Sequence, residues 1–363
     1  MHFQSESLIS IFLSLGTALL ISFAATPIVK TFAQKVGAMD VPGEARRVHD
    51  HPIPRMGGLA IFIGFLLSVV LFADISKQVR GILLGAIIIV TIGAIDDIVS
   101  LNAWVKLAGQ IAAAVVAVLH GVIIEVLMNP NIFSQSEHLI LGIFSIPITI
   151  IWIVGVTNSV NLIDGLDGLA VGVSAIASVT MLVVAMVASE GNTAVILAAL
   201  AGACIGFMPY NLNPAKIFMG DTGALLLGYV LSTVSVMGMI KFYAVVTFIV
   251  PVLALAIPVC DTLFAIIRRV IRGQSPFTPD RGHFHHRLLD MGYSQKQAVA
   301  ILYAISAILG VGAVILATTG EVKVLFFIFA VVAAAIVWIW IFRGRKKTDS
   351  HKDTPENDNN EKD

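Results

Sequence analysis

The sequence predicts an all-α bundle, a polytopic membrane protein of about eleven transmembrane helices, and three observations carry that prediction. Hydrophobic residues make up 57% of the 363 and charged residues 13%, against roughly 45–50% and about 25% in a soluble globular domain. Apolar runs recur along the chain at the roughly 17–25 residues needed to cross a bilayer. Loops rich and poor in Lys and Arg alternate between those runs, as on the two sides of a membrane.

The first run, 8–29, is preceded by Glu6 and by no Lys or Arg, which suits a retained helix better than a cleaved leader. Further spans are predicted at 57–73, 80–96, 104–121, 139–156, 168–188 and 192–208. In the last of these, Gly202 and Gly206 form a small-residue pair, suited to close packing inside the bundle first and to a homodimer seam second. Spans at 222–239, 243–266, 297–317 and 322–342 complete the set, with Pro251 and Pro258 expected to kink the ninth. Residues 1–342 are expected to form one integral-membrane domain, and the charged stretch 343–363 a disordered tail. Cys204 and Cys260 lie in apolar segments and read as small buried hydrophobes rather than a disulfide.

Of the 23 Lys and Arg residues, all but Lys77, Arg80, Lys241 and Lys323 fall in loops of one parity or in the tail. The positive-inside rule then predicts an N-terminus outside and a C-terminus in the cytoplasm. The same parity, chosen without reference to the acids, sends Asp96-Asp97, the run Asn161–Ala170, Asp221 and the histidines at 283–286 to one cytoplasmic interface. Acids within or beside membrane spans are costly and mark function.

Asp96, Asp97, Asp164, Asp167 and Asp221, with Asn161 and Asn211, are hard oxygen donors that suit Mg²⁺, or Mn²⁺, rather than zinc. Lys106, Arg281 and Arg287 can neutralise phosphate oxygens. Carboxylates, a divalent cation and basic groups together point to phosphoryl transfer. Gly165 and Gly168 permit a sharp turn and close approach to a ligand. Asp221 can cap the helix it opens, and that helix end offers N–H groups to an anion. Adjacent Asp96 and Asp97 point about 100° apart on a helix, so one of them can be a solvent-facing helix-end acid. Asp261, seven residues before Arg268, reads as the structural partner of a base at least as readily as a catalytic group. His283, His285 and His286 suit phosphate or sugar contacts better than zinc, because no cysteine or further histidine completes a site. Phe218 reads on general grounds as core.

Five motifs in order resemble the polyprenyl-phosphate N-acetylhexosamine-1-phosphate transferase family: HPIPRMGG from His51, IDD from Ile95, NSVNLIDGLDGLA, YNLNPAKIFMGDTG from Tyr210 and DRGHFHHRL from Asp280. The resemblance spans nearly the whole chain and implies ten or eleven helices. It implies transfer of a sugar 1-phosphate from a UDP-sugar to a membrane polyprenyl phosphate, with release of UMP. On this resemblance Asp221 and Asn161 contact Mg²⁺, Asp167 and Phe218 face the uracil, and Asp96 or Asp97 is the base for the lipid phosphate. His283, His285 and Arg287 bind phosphates or sugar, and Asp164 supports the metal or the transferred group. Lys106, Asn211, Arg281 and His286 complete the expected substrate-binding set.

The branch that uses UDP-N-acetylmuramoyl-pentapeptide has a compact triple-histidine run after Pro-Leu. His-Phe-His-His-Arg after Asp280-Arg281-Gly282 instead resembles the branch that uses UDP-N-acetylglucosamine, which includes the initiating enzyme of wall teichoic acid. The expected partners are UDP-N-acetylglucosamine, undecaprenyl phosphate and membrane lipids, at the plasma membrane, with no nucleic acid. The muramoyl-pentapeptide branch is the first alternative. A cation-coupled transporter is the rival class, and it requires acids near mid-helix with access from both faces.

Overall fold

The structure is a computed structural model that describes residues 5–41, 52–128, 138–238, 244–274 and 282–319. Helices dominate: α1 (Ser5–Val36), α2 (Gly58–Phe72), α3 (Lys77–Val99), α4 (Ala103–Leu119), α5 (Ser145–Ile163) and α6 (Leu169–Val187) come first. Then follow α7 (Gly191–Asn211), α8 (Gly220–Gly238), α9 (Ala244–Ala254), α10 (Ala256–Ile271), the short α11 (Phe284–Asp290) and α12 (Gln295–Thr319). Among the described residues seven helices are long and apolar enough to cross a membrane, and α2 and α4 are shorter apolar helices. The protein is therefore an all-α, multi-pass membrane bundle. The expected span 322–342, the tail 343–363 and Arg281 lie outside the described residues.

Helix α8 is the hub. Its most apolar stretch is 89% buried, and it packs on α2, α3, α5, α6 and α7. Small residues let the backbones close on it: a Cβ on Gly93 would strike the Thr222 backbone, and Gly58 lies against the backbone of Gly223. Gly202 and Gly206 face the carbonyls of Leu15 and Leu19 on α1. The small-residue pair thus serves packing within the bundle, and the seam expected as its second use is filled by α1.

The ninth span is not one kinked helix. It breaks at Leu255 (φ −106°, ψ 15°) into α9 and α10, because Pro258 has no N–H for the carbonyl of Ala254 and its ring crowds that turn. The halves then diverge: α9 packs on α12 and α6, and α10 on α5.

Two short antiparallel strand pairs were not expected, and the second takes residues 139 and 140 from the start of the span expected at 139–156, whose helix begins at Ser145. β1 (Met39–Asp40) pairs with β2 (Ile53–Pro54), and β3 (Val126–Met128) with β4 (His138–Ile140). Hydrogen bonds sort the helix ends into two sets. At one end Asp74 N–H donates to Asn192 Oδ1 (2.8 Å), Gln78 to the Gly121 carbonyl (2.9 Å) and Ile124 N–H to Thr149 Oγ1 (2.9 Å). At the other end Phe218 N–H donates to the Pro54 carbonyl (2.8 Å) and Gly57 N–H to the Phe218 carbonyl (2.9 Å). All the candidate site residues that the structure describes gather at this second end.

Candidate active site

The site is organised around the first turn of α8. Gly220, at φ +71°, turns the chain into the helix, and a Cβ there would collide with the Asp97 carboxylate. Asp97 reaches across from α3 and accepts from Asp221 N–H (3.0 Å), Thr222 N–H (3.1 Å) and Thr222 Oγ1 (2.6 Å). A carboxylate from another helix therefore satisfies the exposed amides of α8, as an N-cap would. This corrects the expectation that Asp221 caps its own helix, since Asp221 sits inside the first turn. It also corrects the expectation of a solvent-facing acid in the pair: Asp96 and Asp97 are only 7% and 2% exposed, enclosed between α3, α4 and α8.

Asp221 turns outward to meet Lys106 of α4. The ammonium lies 2.7 Å from Asp221 Oδ2 and 3.2 Å from Asp96 Oδ2, while Asn161 Nδ2 donates to Asp221 Oδ1 at 3.1 Å. Asp96 also accepts from Leu101 N–H at 2.7 Å. Beneath this group Gln110 and Asn158 exchange amide hydrogen bonds (3.3 and 2.5 Å) between α4 and α5. They lie one helical turn below Lys106 and Asn161. The sequence reading passed over this clasp, though its spacing, four after Lys106 and three before Asn161, was visible.

The turn from α5 to α6 carries Asp164 and Asp167. Asp164 ends α5, and Gly168 opens α6 at φ +78°, where its carbonyl accepts the Tyr303 hydroxyl of α12. Asp167 Oδ2 accepts from Asn213 Nδ2 (2.9 Å) and Ala215 N–H (3.0 Å), so it ties this turn to the loop before α8. Asp164 sits just beyond the span. Burial in the cleft, then the negative charges of Asp221, Asp97 and Asp167, push its carboxyl up to about 8.

Gly165 joins this turn to the histidines, because His285 Nε2 lies where a Gly165 Cβ would stand. His285 is buried; burial, helped by His286 and His283 and opposed by Asp261, pulls its ring down to about 4. His283 Nδ1 lies 2.7 Å from Asp261 Oδ2, and Phe284 N–H donates to Asp261 Oδ1 at 2.8 Å. The partner of Asp261 is thus this histidine at the start of α11, while the Arg268 guanidinium lies against Gly282. His286 sits beside His285, with ring centroids 4.3 Å apart, and Arg287 is exposed. Asn211 is buried and donates to the Ile217 carbonyl (3.0 Å), which shapes the loop before α8. Phe218 lies on that same loop, half-buried.

Among the described residues no three His, Cys, Asp or Glu side chains converge on a point, so no closed protein cage is built. Isolated carboxylate and amide oxygens suit a hard divalent cation that takes its other oxygens from phosphate and water. Lys106 against Asp221 marks where positive charge is wanted. With Asn161 Nδ2 turned to Asp221, the amide oxygen of Asn161 is the second hard donor, and the pair suits a divalent cation.

The glycosyl transferase family 4 profile matches residues 79–239, from the first turn of α3 to the end of α8. A probable undecaprenyl-phosphate N-acetylglucosaminyl 1-phosphate transferase of Bacillus subtilis (strain 168) is 41% identical, over 90% of this chain and 90% of its own length. A decaprenyl-phosphate N-acetylglucosaminephosphotransferase of Mycolicibacterium smegmatis is 37% identical, over 90% of this chain and 87% of that protein. A phospho-N-acetylmuramoyl-pentapeptide-transferase of Heliobacterium modesticaldum is 32% identical over 71% of this chain and 82% of that one. Gathered helix ends, acids and a shared lysine at one end of an apolar bundle, and relatives that match nearly the whole sequence, lead to one assignment: the chain belongs to glycosyl transferase family 4 and is a membrane-embedded phosphoglycosyltransferase.

Proposed function

We propose that this enzyme transfers N-acetylglucosamine 1-phosphate from UDP-N-acetylglucosamine to undecaprenyl phosphate at the cytoplasmic face of the plasma membrane. UMP is released, and the product opens the synthesis of a cell-wall glycopolymer such as teichoic acid. The carrying observation is Lys106, held between Asp96 and Asp221 at the α8 N-terminus, in a chain so similar to the Bacillus subtilis relative. The excess of Lys and Arg on one loop parity supports eleven spans, with the N-terminus outside and the C-terminus inside.

In the proposed reaction an oxygen of the lipid phosphate attacks the β-phosphorus. The bond from that phosphorus to the bridging oxygen breaks, and UMP keeps that oxygen. A divalent cation at Asp221 and Asn161 would supply charge neutralisation at the diphosphate. Lys106 contributes a second positive charge, and the histidines near Gly165 contact phosphate or sugar. Asp167 and Phe218, on neighbouring loops, take the nucleoside. Of the two adjacent acids, Asp97 already accepts three hydrogen bonds and is the poorer base, so Asp96 is assigned to the lipid phosphate. That phosphate, with a second pKa of about 6, is mostly ionised at neutral pH, so the base assists rather than enables.

The test is purified protein in nanodiscs with Mg²⁺, undecaprenyl phosphate and a panel of UDP-sugars, read as UMP release and as the mass of the lipid product. UDP-N-acetylglucosamine should be turned over. Turnover of UDP-N-acetylmuramoyl-pentapeptide alone, or solute uptake with no lipid product, would overturn the proposal.

A further inference from the structure

The buried Asp261–His283 pair is not explained by packing alone. Asp261 lies on α10, 2% exposed, and His283 is 5% exposed; an ionisable group is seldom enclosed so fully without a purpose. Both carboxylate oxygens are committed: Oδ1 accepts from Phe284 N–H, whose hydrogen cannot be withdrawn, and Oδ2 faces His283 Nδ1. An acceptor at Nδ1 requires a proton there, and that leaves Nε2 as the nitrogen with a lone pair. His283 stacks beside His285, with centroids 5.8 Å apart and planes 7° from parallel. His285 in turn lies on Gly165, next to Asp164.

We infer that Asp261 is a positioning residue for the transfer reaction: it fixes the Nδ1–H form and ring orientation of His283, so that the Nε2 lone pair accepts from a sugar hydroxyl of the nucleotide sugar. The inference rests on the proposed function for its substrate, but the hydrogen-bond claim stands apart from it. Asp261→Asn makes a sharp test because of Phe284. The variant's amide oxygen must face that N–H, so its NH₂ group faces His283 Nδ1. The ring then has to accept at Nδ1 and carry its proton on Nε2.

The experiment uses full-length protein in nanodiscs with ring-¹⁵N histidine, the His283 signal being identified by its loss in His283→Gln. The wild-type ring should be protonated at Nδ1, and in Asp261→Asn the proton should sit on Nε2. For UMP release, kcat in Asp261→Asn should fall about 10- to 100-fold with KM for UDP-N-acetylglucosamine within about threefold. Asp261→Glu should recover part of the loss, and the double variant with His283→Gln should be no slower than His283→Gln alone. A neutral wild-type ring protonated at Nε2, a wild-type rate in Asp261→Asn, or losses that multiply in the double variant would overturn the inference. If Asp261→Asn does not fold, the wild-type ring signal and Asp261→Glu still decide it. The ring signal is read without substrate, so a wrong sugar donor would abolish turnover in every sample and leave this readout intact.

Discussion

Two neighbouring aspartates on α3 illustrate how much one residue's surroundings decide. Asp97 holds the first turn of α8 through three donors, whereas Asp96 meets Leu101 N–H and Lys106. Asp97→Asn must turn an NH₂ group toward one of those donors, and it should cost about 1–3 kcal/mol, seen as a thermal midpoint lowered by several degrees. Asp96→Asn turns its NH₂ group toward Lys106, which keeps its shorter contact to Asp221, so its thermal loss should be the smaller of the two, while UMP release should fall by about 10²-fold. Equal thermal losses in the two variants would contradict this division. Asp164 yields a pH prediction. Its carboxyl rises from 3.8 to about 8 in the folded protein, so the unfolded chain gives up its proton first. That stabilising contribution is complete below about pH 4 and is lost as pH climbs through 8. With divalent cations chelated, Asp164→Asn should flatten the decline of the thermal midpoint between pH 5 and 8. Allowing for the residual exposure of Asp164, the gain at pH 8 should be roughly 1–2 kcal/mol.

At the scale of elements, close approach decides the architecture. The carbonyls of Leu15 and Leu19 occupy the space that side chains on Gly202 and Gly206 would need. Gly206→Leu should therefore push α1 from α7 and cost about 1–3 kcal/mol or more, measured as the thermal midpoint in detergent; an unchanged midpoint would contradict the packing. The spacing of two glycines was legible in the sequence, and so were most helix positions, because apolar length is a one-dimensional signal. The break at Leu255 was less so. Pro251 and Pro258 announce a disturbance, but a kink and a division into two helices differ only in where the neighbours α5, α6 and α12 pull each half.

For the whole molecule, the site lies at one end of the bundle, and the opposite end is tied by bonds such as Asp74 to Asn192. The proposed orientation gives a labelling prediction. In cells carrying Cys204→Ala and Cys260→Ala, a cysteine at exposed Ser100 should be shielded from a membrane-impermeant maleimide until the cells are opened. One at Asp74, on the other end, should react from outside. The reverse pattern would invert the topology and remove the proposed cytoplasmic site.

Composition and pattern alone determined that this chain is a multi-pass helical bundle, and its motifs alone pointed to the family. Transfer of apolar side chains out of water depends on local sequence, and short motifs survive as strings. Only the tertiary structure decided that Asp97 serves a helix 124 residues away, that Lys106 stands between Asp96 and Asp221, and that Asp261 holds His283 rather than an arginine. Such contacts form where helix ends converge, and hydrogen-bond direction and distance in three dimensions leave no trace in linear spacing.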